Sequence, residues 1–300
     1  MSVLPDITSF NTQATQPCLI EITQEHSHLL PQLVRRDAVH DFGVEDEDRL
    51  KQFRVGGKDG KKTVFALTDS SQETVLAAIY VFKTHRKLEN FESIPGNVGR
   101  ILTSDANAPL KGEPQSLIFY SISNMVDKEG NPLLKGAGTM LIEALLAMPD
   151  LPREAFLSTL SPFRTLAQNI IRHNNEPLSD DQRLSSAYLH LMSITDPVQK
   201  FHMGNGAMIG DIKLNAHDDP NAPDAVHGMN VMINYRYTPD QQTRNNNKAL
   251  FKAILKKEVP VMCLRELFNP QVLARVDALE GTVAEMQARL APKPAALHVS

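Results

Sequence analysis

Ser116-Leu117-Ile118-Phe119-Tyr120-Ser121-Ile122-Ser123, then a polar loop from Asn124 to Pro132, then Leu133-Leu134-Lys135-Gly136-Ala137-Gly138-Thr139 is the stretch that decides the fold. The first segment is dense in β-branched and aromatic residues and predicts a central strand. Behind the glycines, Met140, Leu141, Ala144, Leu145 and Met148 recur at helical spacing, and Pro149 and Pro152 stop that helix. Phe156–Leu160 then predicts the next strand. Two close glycines let backbone N–H groups approach a pyrophosphate with no Cβ in the way. The helix start adds free donors and a positive dipole end, and Lys135 adds a point charge. A short Gly-x-Gly at a helix start also serves plain helix–strand packing. A Rossmann arrangement fits less well, because it wants the turn tight against the strand and a parallel βαβ series after it.

Working outward, Thr63–Thr68 and Thr74–Thr84 read as strands of a hairpin around the polar Asp69-Ser70-Ser71-Gln72-Glu73. Upstream, 20–50 is polar, with helical patterns around His28–Arg36 and Glu45–Phe53, followed by the turn-rich insert Gly56–Lys61. Residues 86–115 read as a long loop, a length that is often functional. Downstream, Pro162–Gln199 reads as helical in two pieces broken at Asn174-Asn175-Glu176-Pro177. Phe201–Ile209 and Val231–Tyr237 bracket a polar loop at 215–227, and a helix is expected over Lys248–Lys257.

The composition narrows the functional classes. A chain of 300 residues with 42% apolar residues buries enough surface to need neither disulfide nor metal for folding. Cys18 and Cys263 stand far apart, so a disulfide framework is not expected and a cytoplasmic location is. No apolar stretch reaches the ~20 residues that span a bilayer, so no membrane partner is expected. Met1–Pro17 has neither the basic start nor the apolar core of a signal peptide and reads as a flexible tail. A net charge of −4 argues against general nucleic-acid binding, and the lack of Trp against an aromatic sugar platform.

The strand–loop–glycine–helix unit resembles the coenzyme A loop of the GNAT superfamily, with Leu133 where the pattern usually begins with Arg or Gln. Phe119-Tyr120-Ser121-Ile122-Ser123, Ser158-Thr159-Leu160-Ser161-Pro162, Phe201-His202-x-x-Asn205-Gly206-Ala207 and Asn234-Tyr235-Arg236-Tyr237 occur in the order found in the malonyl-CoA decarboxylase branch. Weaker similarity reaches Ala38-Val39-His40 and Arg49-Leu50-Lys51, so the resemblance covers roughly 35–240. It implies an α/β (α+β), GNAT-like fold: a mixed central sheet flanked by helices over 18–260, with a C-terminal helical extension over 261–300. It implies Ser161, His202 and Tyr237 as catalytic residues. Lys135, Gly136, Ala137, Gly138 and Thr139 would bind coenzyme A, and Ser123, Asn205 and Asn234 the substrate. The implied reaction is decarboxylation of malonyl-CoA or a related malonyl thioester. The thioester is the electron sink, a histidine of near-neutral pKa delivers the proton, and coenzyme A within the substrate is the only cofactor.

The match has departures. The family's helical domain ahead of the catalytic one has no counterpart, and its coenzyme A-loop glutamate falls on Gly136. The segment between Ser161 and His202 is shorter than in the family. An acyltransferase using His202 as base, with an amine, hydroxyl or acyl-carrier-protein thiol as acceptor, therefore stays open, as does a catalytically weak coenzyme A-binding module. Each residue also has a plain use: Ser-Pro as turn chemistry, His202 as a turn histidine, Tyr237 as a packed strand aromatic. His217, Asp218, Asp219 and His227 lie in a solvated-turn composition, and no metal is expected there. Finally, Val272, Val276, Leu279, Val283, Met286 and Leu290 alternate steps of four and three. That spacing predicts a heptad-like seam that makes a homo-oligomer, or a helix packed on its own domain.

Overall fold

Apolar residues on both faces of two neighbouring strands are what build the first sheet. In the computed structural model, the structure describes residues 16–37, 62–84, 116–149, 151, 156–159, 161–163, 166, 178–214 and 231–290. The expected hairpin is formed by Lys62–Thr68 (β2) and Val75–Thr84 (β3), antiparallel and preceded by Cys18–Glu21 (β1). Asp69 shapes the hairpin turn by accepting from the backbone N–H groups of Glu73 and Thr74. Ser116–Asn124 (β4) pairs antiparallel with β3, and the register slips opposite Tyr80 and Val81, which leaves Tyr120 as the bulged residue.

Phe156–Thr159 (β5) lies parallel to β4, which a chain can reach only by a crossover. The crossover is the helix behind the glycines, labelled α2 after α1 (Leu30–Asp37) and running Ala137–Leu146. Val64, Ala66, Ala78 and Tyr80, on one face of the hairpin, pack with Leu29 and Leu33. The helix α2 packs against β2 and β3 with Leu141, Ile142, Ala144 and Leu145 buried. Covering both faces explains why β2 and β3 read as continuous apolar runs rather than as clean alternation.

The chain divides into two units, and the division falls between Leu160 and Ser161. The first comprises residues 1–94, 99–160 and 236–244, the second 95–98, 161–235 and 245–300. Val231–Tyr237 (β8) contributes to both. In the first unit Arg236 and Tyr237 pair antiparallel with Ser158 and Leu157 of β5. In the second, Ser161–Pro162 (β6) and Met208–Leu214 (β7) pair with the earlier part of β8.

The helices of the second unit have legible starts. Ser179 caps Asp180–Ser193 (α3) through a reciprocal box with Gln182. Asp196 caps Pro197–Gly204 (α4), with proline at the first helical position. Gln241–Leu255 (α5) covers most of the helix expected at Lys248–Lys257, and a 3-10 segment, Val261–Leu267, follows. The C-terminal seam is not one helix. Pro270–Asp277 (α6) and Glu280–Leu290 (α7) are separate, and both pack on α3. Val272, Val276 and Met286 are buried within this unit, whereas Leu279, Val283 and Leu290 are half-buried. Three of the six seam residues thus serve the unit's own core.

The tail before residue 16, the helical pattern at Glu45–Phe53, the insert at Gly56–Lys61 and the long loop at 86–115 lie outside the described residues. So do Ala38–His40, Arg49–Lys51, most of the first helical piece after Pro162, and 215–230 with His217, Asp218, Asp219 and His227. Among the described residues no helix is long and apolar enough to cross a membrane. None of their His, Cys, Asp and Glu side chains form a group of three that could hold a metal ion.

Candidate active site

Candidate residues occur in each unit. In the first unit β4 runs into a tight polar loop. Asp127 Oδ1 accepts from the N–H groups of Glu129 and Asn131, and Gly130 takes a φ of 87°. Leu133 N–H returns to Met125 carbonyl at 2.8 Å, which delivers Lys135 and Gly136 to the start of α2. Gly136 is the N-cap with φ 82°, and no side chain caps the helix. The first turn also holds no acidic residue, so the dipole end is not neutralised from within the helix. Lys135 and Gly136 are exposed, Thr139 is half-buried, and Ala137 and Gly138 are buried. This geometry suits an anion approaching the backbone.

Gly136, the position where the sequence resemblance places a glutamate, has a backbone conformation that favours glycine. An added Cβ would meet nothing within 4 Å, so the obstacle is the left-handed φ alone. Gly136→Ala is expected to lower unfolding free energy by about 1 kcal/mol, read from the denaturant midpoint at unchanged m-value. Gly136→Glu should carry the same strain. A variant as stable as the parent would mean that the glycine is not required for this turn.

The second unit holds Ser161 and His202. Ser161 is not in a turn, as the Ser-Pro pair alone would allow; it is a strand residue paired with Ile233 of β8. His202 sits in the last turn of α4, and Asp196 fixes the other end of that helix by accepting from Val198 and Gln199 N–H at 2.8 and 3.0 Å. Behind His202 the chain turns sharply through Gly206 (φ 85°), and Asn205 and Ala207 N–H both donate to the His202 carbonyl. Asn247 donates to the Gly206 carbonyl at 3.1 Å and pins that turn to α5.

The structure brings the two candidate side chains together. Ser161 Oγ lies 3.4 Å from His202 Nε2, at the long end of the hydrogen-bond range. Both are buried, at 8% and 4% exposure. Burial pushes His202 down to about 3, far from the near-neutral value expected from sequence, which favours the neutral imidazole at physiological pH. The Tyr235 ring stacks on the imidazole at 4.6 Å and 22°, and Phe201 meets it edge-on.

Tyr235 is the residue that sequence reasoning passed over in favour of Tyr237. Strand periodicity places both on one face of β8, but Tyr237 packs in the first unit, with its ring 5.8 Å from Phe119. Burial raises the Tyr237 hydroxyl above its ordinary range and keeps it protonated. Ser123 is also in the first unit, buried on β4 opposite Ala78. Asn234 is buried on the face of β8 opposite Tyr235, so it does not share the histidine's side of the strand. Asn205 is the C-cap of α4 and donates to Phe201 carbonyl at 2.8 Å, and its buried Oδ1 lacks a partner. Asp196 was the other missed residue; Asp-Pro before an apolar-periodic run is its signal.

Comparison with known proteins gives one family match and several solved structures of similar fold. Residues 182–262 match the family model for the malonyl-CoA decarboxylase C-terminal domain, a span from α3 into the 3-10 segment that includes His202. Among solved structures, malonyl-CoA decarboxylase from Rhodopseudomonas palustris aligns with a TM-score of 0.62 and 19% identity over 87% of this chain and 62% of that one. The Agrobacterium vitis enzyme gives 0.59 and 20% over 87% and 67%, and the Cupriavidus metallidurans enzyme 0.53 and 19% over 78% and 63%. The chain thus spans about two thirds of their length and shares their fold, and the mixed sheet flanked by helices is the α/β arrangement expected from the sequence. A search of curated proteins finds no match.

Proposed function

We propose that this chain decarboxylates malonyl-CoA, or a related malonyl thioester, to the acetyl thioester. The observation that carries the reading is the buried Ser161–His202 pair, with His202 inside the span matching the decarboxylase family. In the proposed reaction the bond between the α-carbon and the carboxyl carbon breaks, and carbon dioxide leaves. The electron pair delocalises onto the thioester oxygen as an enolate, and one proton added to the α-carbon gives the acetyl group. The Ser161 hydroxyl donates to the departing carboxylate. The resemblance also gives Tyr237, a neutral donor, a place in stabilising the enolate oxygen. Lys135 and the N–H groups opening α2 hold the coenzyme A phosphates.

His202 supplies the proton, and its burial explains the timing. An isolated imidazole in this pocket is neutral, but an anionic carboxylate within a few ångströms favours the imidazolium. The substrate therefore charges its own acid, and the proton is replaced from solvent after each turnover. Tyr235 acts by position, fixing the plane of the ring.

Incubation with malonyl-CoA and mass spectrometry of the products tests the reading. Acetyl-CoA and carbon dioxide in equal amounts, with no acceptor present, are expected. Free coenzyme A released only when an amine or thiol acceptor is added would replace the reading with acyl transfer.

A further inference from the structure

The described residues carry a concave surface in the second unit whose lining includes neither Ser161 nor His202. It is a groove of about 560 Å³ between the end of α3, the middle of α4 and the segment joining α5 to the 3-10 turn. Ile194, Ile254, Leu255, Val259 and Val261 give it an apolar floor, and Lys200 and Lys257 stand among its walls. Of the five large apolar side chains left exposed among the described residues, four come from these same elements: Val198, Leu255, Val261 and Met262. Exposed apolar residues scattered singly need no explanation, but a cluster around a groove marks an interaction surface.

Charge says what fits. The whole chain is net negative, at −4. From Asn245 to Glu258, however, it holds Lys248, Lys252, Lys256 and Lys257 against the single Glu258. Lys256 pairs with Glu258 at 3.3 Å, so that carboxylate is already occupied. Lys248, Lys252 and Lys256 recur every four residues and so line one side of α5 and its exit. The groove thus has an apolar floor, and its charged lining residues are Lys200, Lys257 and Glu258, the last already paired with Lys256. Two of the three non-glycine residues with positive φ among the described residues, Ile194 and Lys257, also line it. A β-branched residue in that conformation costs free energy, and such strain gathers where a surface is used.

We propose that this groove docks an acidic amphipathic helix of a partner protein, with aliphatic side chains on the floor and carboxylates toward Lys200 and Lys257. Helix-in-groove recognition needs this combination of apolar concavity and complementary rim. A bilayer surface would not enter a concavity of this kind. A single-stranded nucleic acid would want exposed aromatics for stacking, and none of the four exposed residues is aromatic.

The test uses the full chain and a fluorescein-labelled helical peptide with Glu on one face and Leu and Met at i, i+3, i+4 and i+7 on the other. Saturable anisotropy binding in the micromolar range is expected, weakening at least ~10-fold from 0.05 to 0.5 M salt as the charges are screened. Lys257→Glu with Met262→Ser should weaken it at least ~10-fold again, with near-UV circular dichroism unchanged. The same peptide with Lys in place of Glu should not bind. Absence of saturation, or binding indifferent to the double substitution, overturns the proposal. Equal binding to vesicles of equimolar phosphatidylcholine and phosphatidylglycerol assigns the patch to membranes instead. Dimers that Leu255→Glu dissolves, seen by sedimentation without peptide, assign it to a second copy; either result overturns the helix assignment.

Discussion

His202→Ala is expected to lower the turnover of malonyl-CoA at least ~100-fold, the usual scale for removing a general acid. Loss should fall on kcat rather than KM, because the proposed phosphate contacts at Lys135 and the start of α2 hold substrate and transition state alike. Ser161→Ala is expected to act in the same direction, and the double variant to lose much less than the product of the two, since the side chains work on one acyl group. Truncating a ring stacked on Tyr235 also opens a cavity, so His202→Gln, which keeps more of the volume, is the companion variant. Both should retain the parent's circular dichroism. Turnover within threefold of the parent in a folded His202→Gln protein would remove histidine from the mechanism.

What the sequence disclosed and what it hid follow from the range of the interactions. The β4–loop–α2–β5 unit was legible because its signals are local: a β-branched run, glycines at the turn, a helical period and two prolines. Ser161 and His202 were legible only through the order of their motifs, since nothing local distinguishes Ser-Pro in a strand from Ser-Pro in a turn. Tyr235 and Tyr237 show the limit. They share a strand face and differ only in what packs over each, and a two-residue period carries no such information. The C-terminal seam shows it again. A four-three alternation reports that one face of a helix is covered, and here α3 does part of the covering. The break between α6 and α7 has no proline; only the lone Gly281, inside α7, hinted at weakness there.

Burial of His202 has a thermodynamic consequence that can be measured without substrate. Its folded value lies near 3, against an ordinary 6.5, because the charged ring would lose its hydration. Below pH 6.5 the unfolded chain therefore binds a proton that the folded chain refuses, down to about pH 3. Stability from this group is complete above pH 6.5 and falls as pH drops through that window, by up to about 1.4 kcal/mol per pH unit. His190, also lowered by burial, adds to the fall, with Asp196 nearby opposing the shift. Asp211 works against it: burial raises its carboxyl, so the folded state takes up a proton above pH 3.8 that the unfolded state does not. Urea unfolding at pH 7, 6 and 5 should show stability dropping with acid, and His202→Gln should flatten the drop. Since His190 and Asp211 are common to both proteins, the difference between the two slopes isolates His202. Parallel slopes would mean that the imidazole is hydrated in the folded chain, and the substrate would then have no neutral histidine to charge.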